Sequence, residues 1–376
     1  MAPLGWLTHD GGVNLRDSLL LSAALRLSSG CTPVAEGKEL TEPSPTVEPT
    51  AERAASVPGG DAPEAPPPRD VRTLVVSAIG DNTLGGPVGS ERAPGSFQFV
   101  HEANGGDPAR PFSGVLAVLE KDDLTIGNLE GPLTTAGCGG GKAFVFRGEP
   151  AYAEMLTRGS VEVVSLANNH AEDCGVRGVE ETRAALARHG VGHFGLGVVD
   201  KRVIKGVEVV NLGYTGGELA VKAEVIRDVA KHKRPDNLVF VSFHWGVEGS
   251  LAFASTQQKL GRAAIDAGAD LVLGHHPHVL QGIENYRGKR IVYSLGNFVF
   301  GGNGQPSDLD SMIFRAKFAF EGAKLVDVGY EIVPVRFSGS PVQNDFRPVL
   351  ATGEGAEAIR KKVVSASPRG EAEAIF

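Results

Sequence analysis

The sequence is short of several things, and each shortage narrows what the chain can do. Basic charge is the first: 37 Lys and Arg stand against 45 Asp and Glu, a formal charge of -8. The basic footprint that grips phosphate backbones is missing, so no nucleic-acid partner is expected. Cysteine is the second. Cys31, Cys138 and Cys174 are the whole set, and none sits in a CxxC pair. A structural zinc ribbon is thereby excluded. Cys31 is set apart by its position, which leaves two readings for the others. Cys138 and Cys174 either pair in an oxidising compartment or stand as separate thiols. The apolar run Leu19–Leu27 has the length of a signal-peptide core and is too short to span a bilayer. Glycine, by contrast, is plentiful at 50 residues, much of it between apolar runs, and 41% of the 376 residues are apolar. Tight turns around a sizeable core are the expected result.

The chain divides by composition. Residues 1–31 read as a signal segment that ends in Ser28-Ser29-Gly30-Cys31. Small residues before a cysteine resemble a bacterial lipobox, although Arg26 interrupts the apolar run and Ser28 stands where Leu is usual. The resemblance implies export, acylation of Cys31 and a membrane-anchored lipoprotein of the cell envelope or periplasm. The alternative is a tail with an incidental apolar patch. Residues 32–70 are rich in Pro, Glu and Ala. They cannot bury enough apolar surface to offset their ordering entropy, and read as a disordered linker stiffened by proline.

Residues 71–337 carry the folded domain, and 338–376 a C-terminal extension. Within the domain, strands are expected at Thr73–Ile79, Leu124–Gly127, Val161–Leu166, Val207–Leu212, Leu238–Phe243, Leu271–Leu273 and Ile291–Ser294. Helices are expected at Pro111–Glu120, Ala151–Arg158, Val176–His189 and Ser255–Ala267, the last keeping Leu260, Ala263, Ala264 and Ala267 on one face. This alternation argues an α/β fold. Residues 310–335 read as further strands, and the tail after Thr352 as a short charged helix or as disorder.

Chemistry collects where the apolar runs stop. Asp81-Asn82-Thr83 follows the first, Asn128-Leu129-Glu130 the second, and Asn168-Asn169-His170 the third, with Asp173 close behind. His244-Trp245-Gly246, His275-His276-Pro277-His278 and Asn297 follow three later runs. Ligand sites in open α/β sheets form at the carboxyl ends of strands, so neighbouring strands would bring all six clusters to one crevice. Carboxylate, amide and imidazole together suit Mn, Fe or Zn. A mixed set split over several strands fits a two-metal centre with ions about 3.5–4 Å apart. Each cluster alone has a plainer reading: Asp81 as a turn or helix cap, Glu130 as a solvated acid, the Asn pair as turn chemistry. Three imidazoles within four residues at a strand end are the hardest to explain by folding alone.

In order and spacing these motifs resemble the CapA family of poly-gamma-glutamate capsule synthesis proteins, a branch of the calcineurin-like metallophosphoesterases. The residues that carry the likeness are Gly80-Asp81, Asn128-Leu129-Glu130-Gly131-Pro132, Ser165 to His170, His244 to Glu248, Gly274 to His278, and Tyr293 to Phe298. The resemblance implies a four-layer α/β/β/α sandwich of metallophosphoesterase type. It implies two divalent metal ions held by Asp81, Glu130, Asn169, His244, His276 and His278. It also casts His170 as the residue that donates a proton or stabilises developing charge. Two departures stand out. Thr83 occupies the His position of the Asp-x-His motif, and Asn128 stands where an Asp is usual; Asn297 and Glu248 are candidate substitutes. The implied activity is a metal-dependent hydrolase acting on an anionic polymer or a phosphoester. The rival readings are a non-catalytic accessory protein, binding an anionic polymer within a membrane synthesis complex, and a general phosphoesterase. Arg147 reads as a solvated surface residue rather than a substrate contact.

Overall fold

The computed structural model describes residues 71–139, 141–217 and 219–368. The lipobox-like Cys31 and the Pro-rich linker lie outside the described residues.

In chain order the first half holds β1 (Val71–Thr83), β2 (Gly86–Pro87), α1 (Phe97–Ala103), α2 (Leu116–Leu119), β3 (Leu124–Leu129), β4 (Phe146–Arg147), α3 (Ala153–Arg158), β5 (Val163–Ser165), α4 (Gly175–Arg188) and β6 (Gly192–Phe194). The middle holds β7 (Asp200–Ile204), β8 (Val207–Thr215), α5 (Lys222–His232), β9 (Leu238–His244), α6 (Ser255–Asp266) and β10 (Leu271–His275). The remainder is β11 (Ile283–Tyr286), β12 (Lys289–Val292), β13 (Asn297–Phe300), β14 (Asp310–Glu321), β15 (Lys324–Arg336), β16 (Val349–Leu350) and α7 (Gly353–Ala366).

Two sheets result. The first runs β16-β15-β14-β1-β3-β5-β6, with β13 also paired to β1, and the second runs β11-β12-β10-β9-β8-β7. Strand periodicity decides what faces what. On β9, Leu238 and Phe240 join Leu74, Val76 and Ala78 of β1 in one core between the sheets. The intervening Val239, Val241 and Phe243 pack outward with Val225 and Val229 of α5 and Leu260 and Ala264 of α6. On the far side of the first sheet, Ile79, Leu129 and Val164 pack against Phe97 of α1, Leu119 of α2 and Leu186 of α4. The layers are therefore helix, sheet, sheet, helix, the four-layer α/β sandwich that the motifs implied. Ile359 and Val363 of α7 close one side of the inter-sheet core, so Gly353–Ala366 take the helical reading rather than the disordered one.

Two expected elements change length. The helix expected over Pro111–Glu120 shrinks to α2, and Gly114 just before it lies against the backbone of residue 348. A Cβ there would sit 2.3 Å from the Pro348 carbonyl oxygen. The first strand runs on past Ile79 to Thr83. Gly80 permits this: a Cβ on it would sit 2.1 Å from the carbonyl oxygen of Gly296, the same oxygen that accepts the Asp81 amide at 2.9 Å. That close approach brings Asp81 beside Asn297 in register.

Candidate metal centre

The parallel strands of both sheets end on the same side. In the first sheet Asp81 stands in register with Asn128 and with Asn297, and Asn128 with Ser165. In the second, His244 stands in register with His275. Period-two alternation carries His244 onto the face shared by Leu238 and Phe240, and His275 onto that of Leu271 and Leu273. Both imidazoles thus point between the sheets, where the first sheet places its carboxylates.

Asp81 is the hub. One of its oxygens accepts from Asn128 Nδ2 at 2.8 Å and lies 3.2 Å from His275 Nδ1. The other accepts from the His276 amide at 3.1 Å and lies 3.3 Å from His278 Nδ1. Glu130 is next to it, fully buried, with Oε1 3.4 Å from His244 Nε2 and 3.7 Å from His278 Nε2. Asn169 sits at the rim with Oδ1 2.7 Å from His244 Nε2. Asn297 Oδ1 meets His278 Nδ1 at 2.9 Å.

The electrostatics follow from burying two carboxylates together. Burial acts to raise the Asp81 carboxyl, but hydrogen bonds from His275 and His278 hold it well below its ordinary value. Burial acts the same way on Glu130, and the charge of His278 holds it down. On His278 burial favours the neutral ring, yet Glu130 and Asp81 push it up to about 10. His276 moves the other way, lowered by burial and then by His244. The two acids therefore create a strong local demand for positive charge.

The donor set also fits a metal ion by what it leaves unused. Neither carboxylate oxygen of Glu130 accepts a hydrogen bond, and His276 Nδ1 has no partner. An unsatisfied buried polar group costs roughly 1–3 kcal/mol, more when charged. Glu130, His276 and His278 each offer a ligand atom within 4.8 Å of the others. The backbone is strained at the same place: His276 and His278 both adopt positive φ, 96° and 60°, on either side of Pro277. Non-glycine residues hold such conformations only where the surrounding fold imposes them.

The residues expected from the sequence are thus brought to one place, and among the described residues the tight three-ligand group is Glu130, His276 and His278. Thr83 is buried with a hydroxyl that has no partner, so nothing at that position replaces the missing imidazole directly. Of the two suggested substitutes, Asn297 enters the network. Glu248 instead stands exposed at the mouth of the adjoining cavity. Arg147 is not simply solvated: its side chain is 28% exposed and its guanidinium pairs with Glu91 at 2.8 Å.

Two participants, His275 and Asp173, had no role assigned by sequence. His275 contacts Asp81 directly, and only strand alternation separates its role from that of His276. Asp173 accepts or shares a proton with His170 Nδ1 at 2.7 Å, a spacing of three residues within a turn. It also accepts from Lys142 Nζ at 2.6 Å and from the Phe146 amide at 2.7 Å. The result is a fixed imidazole that lines the cavity with the Phe146 ring 4.3 Å away. Cys138 and Cys174 are joined in a disulfide, the paired reading of the two left open. It pins the loop that carries Lys142 to the start of α4.

Comparison with known proteins identifies a family and several relatives. The family described as "Bacterial capsule synthesis protein PGA_cap" matches residues 75–302, over half of the chain and every residue of the cluster. The capsule biosynthesis protein CapA of Bacillus anthracis is 35% identical over 48% of this chain and 49% of its own length. The PGA biosynthesis protein CapA of Bacillus subtilis is 32% identical over 60% of this chain and 63% of its own length. A probable polyglutamine synthesis accessory protein of Mycobacterium tuberculosis is 31% identical over 55% of this chain and 65% of its own length. The chain thus spans about half to two thirds of the length of the curated relatives it matches.

Proposed function

The chain belongs to the bacterial capsule synthesis protein family, within the metallophosphoesterase-like superfamily, and from that premise we propose that it is a metal-dependent hydrolase acting in poly-gamma-glutamate or cell-envelope polymer metabolism. One observation carries the reading: the fully buried Glu130 whose two oxygens accept no hydrogen bond, set within ligand distance of His276 and His278. Buried charge of this kind is tolerated where a cation completes it. Glu130, His276 and His278 would hold one divalent ion, Mn, Fe or Zn. Asp81, Asn169 and His244 are the remaining donors for a second. A bound divalent ion would polarise the scissile phosphoester or amide and lower the pKa of water.

The chain's own residues supply the rest. Asp173 holds His170 so that the ring faces the cavity, where it donates a proton to the leaving group or steadies developing charge. Asn128 and His275 keep the Asp81 carboxylate in place. Phe144, Phe146 and Phe300 wall the cavity with apolar surface. The substrate is an anionic polymer or a phosphoester. The partners are proteins of a membrane synthesis complex, reached through a lipid anchor on Cys31. Among the described residues no helix is long and apolar enough to cross a membrane.

A second reading is favoured by Thr83. Without the histidine of that motif, the domain would bind an anionic polymer as a non-catalytic accessory of the synthesis complex. Assays of the purified protein with Mn, Fe or Zn on simple phosphoesters and on poly-gamma-glutamate separate the two. The hydrolase reading expects turnover that drops about 10²–10⁴-fold in His170→Ala. Absence of turnover with every metal would leave the accessory role.

A further inference from the structure

Beside the metal centre lies a cavity of about 470 Å³ with His170, His278 and Asn297 at its floor. Phe144, Phe146 and Phe300 form a continuous aromatic wall, with ring centroids 6.5 Å apart for the first pair and 6.4 Å for the second. Phe144 is 60% exposed, so part of that wall faces whatever enters. Among the described residues no Lys or Arg lines the cavity, and its charged side chains away from the floor are Glu248 and Asp308. Lys362 lies 3.0 Å from Asp308 and is shared with Asp310, whereas Glu248 has no ion-pair partner among the described residues. The mouth therefore repels a second anion. An exposed aromatic face and a free carboxylate together suit an organic cation.

We propose that this pocket selects ligands carrying an ammonium group a short linker away from the oxyanion or acyl group held at its floor, with Phe144 and Glu248 as the specificity-determining pair. The proposal rests on the reading of the floor as a metal centre. It has a consequence for a polyanionic chain. Such a chain would enter by its amino end, whose terminal residue carries the ammonium beside its own α-carboxylate, the carboxylates of the later residues remaining outside the mouth.

The ammonium could belong to a phosphoester or to the end of an amide-linked chain, so calorimetric binding to the Mn²⁺-loaded full chain is measured in two arms. One compares phosphoethanolamine with 2-phosphoglycolate, and the other γ-glutamylglutamate with its N-acetyl form. The arm that shows the preference identifies the source. A preference of roughly tenfold or more for the ammonium form is expected in at least one arm. It should shrink to within about threefold in Glu248→Gln and to an intermediate value in Phe144→Leu. Equal binding in both arms, tighter binding of the anionic forms, or a preference untouched by Glu248→Gln overturns the proposal. Inorganic phosphate separates its failure from that of the underlying reading. Phosphate that binds without any ammonium preference defeats this proposal alone, and phosphate that does not bind defeats both.

Discussion

Both ends of the strand layers are polar, but they treat buried charge in opposite ways. At the amino ends, Asp123 immediately precedes β3 and Asp270 immediately precedes β10. Each reaches across to the neighbouring strand. Asp123 accepts the Val75 amide at 2.8 Å and Asp270 the Val239 amide at 2.9 Å. Each then meets lysine: Lys205 at 2.8 Å from Asp123, and Lys233 and Lys289 at 2.6 and 3.0 Å from Asp270. At the carboxyl ends, Glu130 is more deeply buried than either, yet its oxygens accept no hydrogen bond, and among the described residues its ion-pair neighbours are the imidazoles of His244 and His278 rather than lysines. Strained backbone at His276 and His278 lies at this end as well. A buried acid with a full set of partners braces the sheets. One without them is held ready for something that binds.

The comparison can be broken most sharply at Asp270. Replacing it with Ala strands two lysines and an amide that it satisfies, which should cost about 3–5 kcal/mol of unfolding free energy in urea titration. A loss below about 1 kcal/mol would mean that the amino-end acids brace nothing. Near the site, order depends on a covalent tie instead. Cys138→Ser with Cys174→Ser opens a loop with a sequence separation of 36. On chain-entropy grounds the double variant should lose on the order of 4 kcal/mol, read by thermal unfolding against the oxidised wild type. An unchanged midpoint would show that Lys142 and Asp173 hold the loop unaided.

A smaller effect sharpens the contrast from the amino end. Burial pushes the Asp122 carboxyl up to about 6, opposed by hydroxyl hydrogen bonds that include Thr125. A carboxyl raised in the folded state favours the protonated form. Its stabilising contribution is complete below pH about 4, the unfolded value, and is lost as pH rises through about 6. Asp122→Asn should therefore gain on the wild type between pH 4 and pH 7, by under about 1 kcal/mol after solvent screening. Unfolding free energies at the two pH values check this, and a constant difference between the proteins would contradict it.

Much of this was legible in the chain because burial leaves a pattern. Apolar runs such as Leu238–Phe243 and Leu271–Leu273 have no polar face to confuse the period, and the polar residues just after each run land at a strand end. That logic placed the clusters that contain Asp81, Glu130, His244, His276 and His278 at strand ends, and the resemblance to the CapA family picked out those residues within them. The features it missed depend on contacts between distant segments. The edge strand β7 (DKRVI) alternates between half-buried and exposed positions and reads as polar. Helix α5 buries only Val225 and Val229, too thin a stripe to stand out. The braces at Asp123 and Asp270 look like ordinary turn acids until the neighbouring strand and its lysines are in place. Likewise, His275 and His276 are adjacent in sequence, and only the register of β10 against β9 shows that the first supports Asp81 while the second remains open to a ligand.

The account stands or falls on Glu130. Metal content and urea stability, measured on the same preparations of wild type, Glu130→Gln and His276→Ala, test it most directly. The account predicts at least one divalent ion per wild-type chain and its loss from both variants. After chelation, Glu130→Gln should be as stable as the wild type or more stable by up to about 2 kcal/mol, since it removes a buried charge whose oxygens accept no hydrogen bond. Unchanged metal content in both variants, or a chelated Glu130→Gln that is strongly destabilised, would show that Glu130 is a brace like Asp270 and not a ligand.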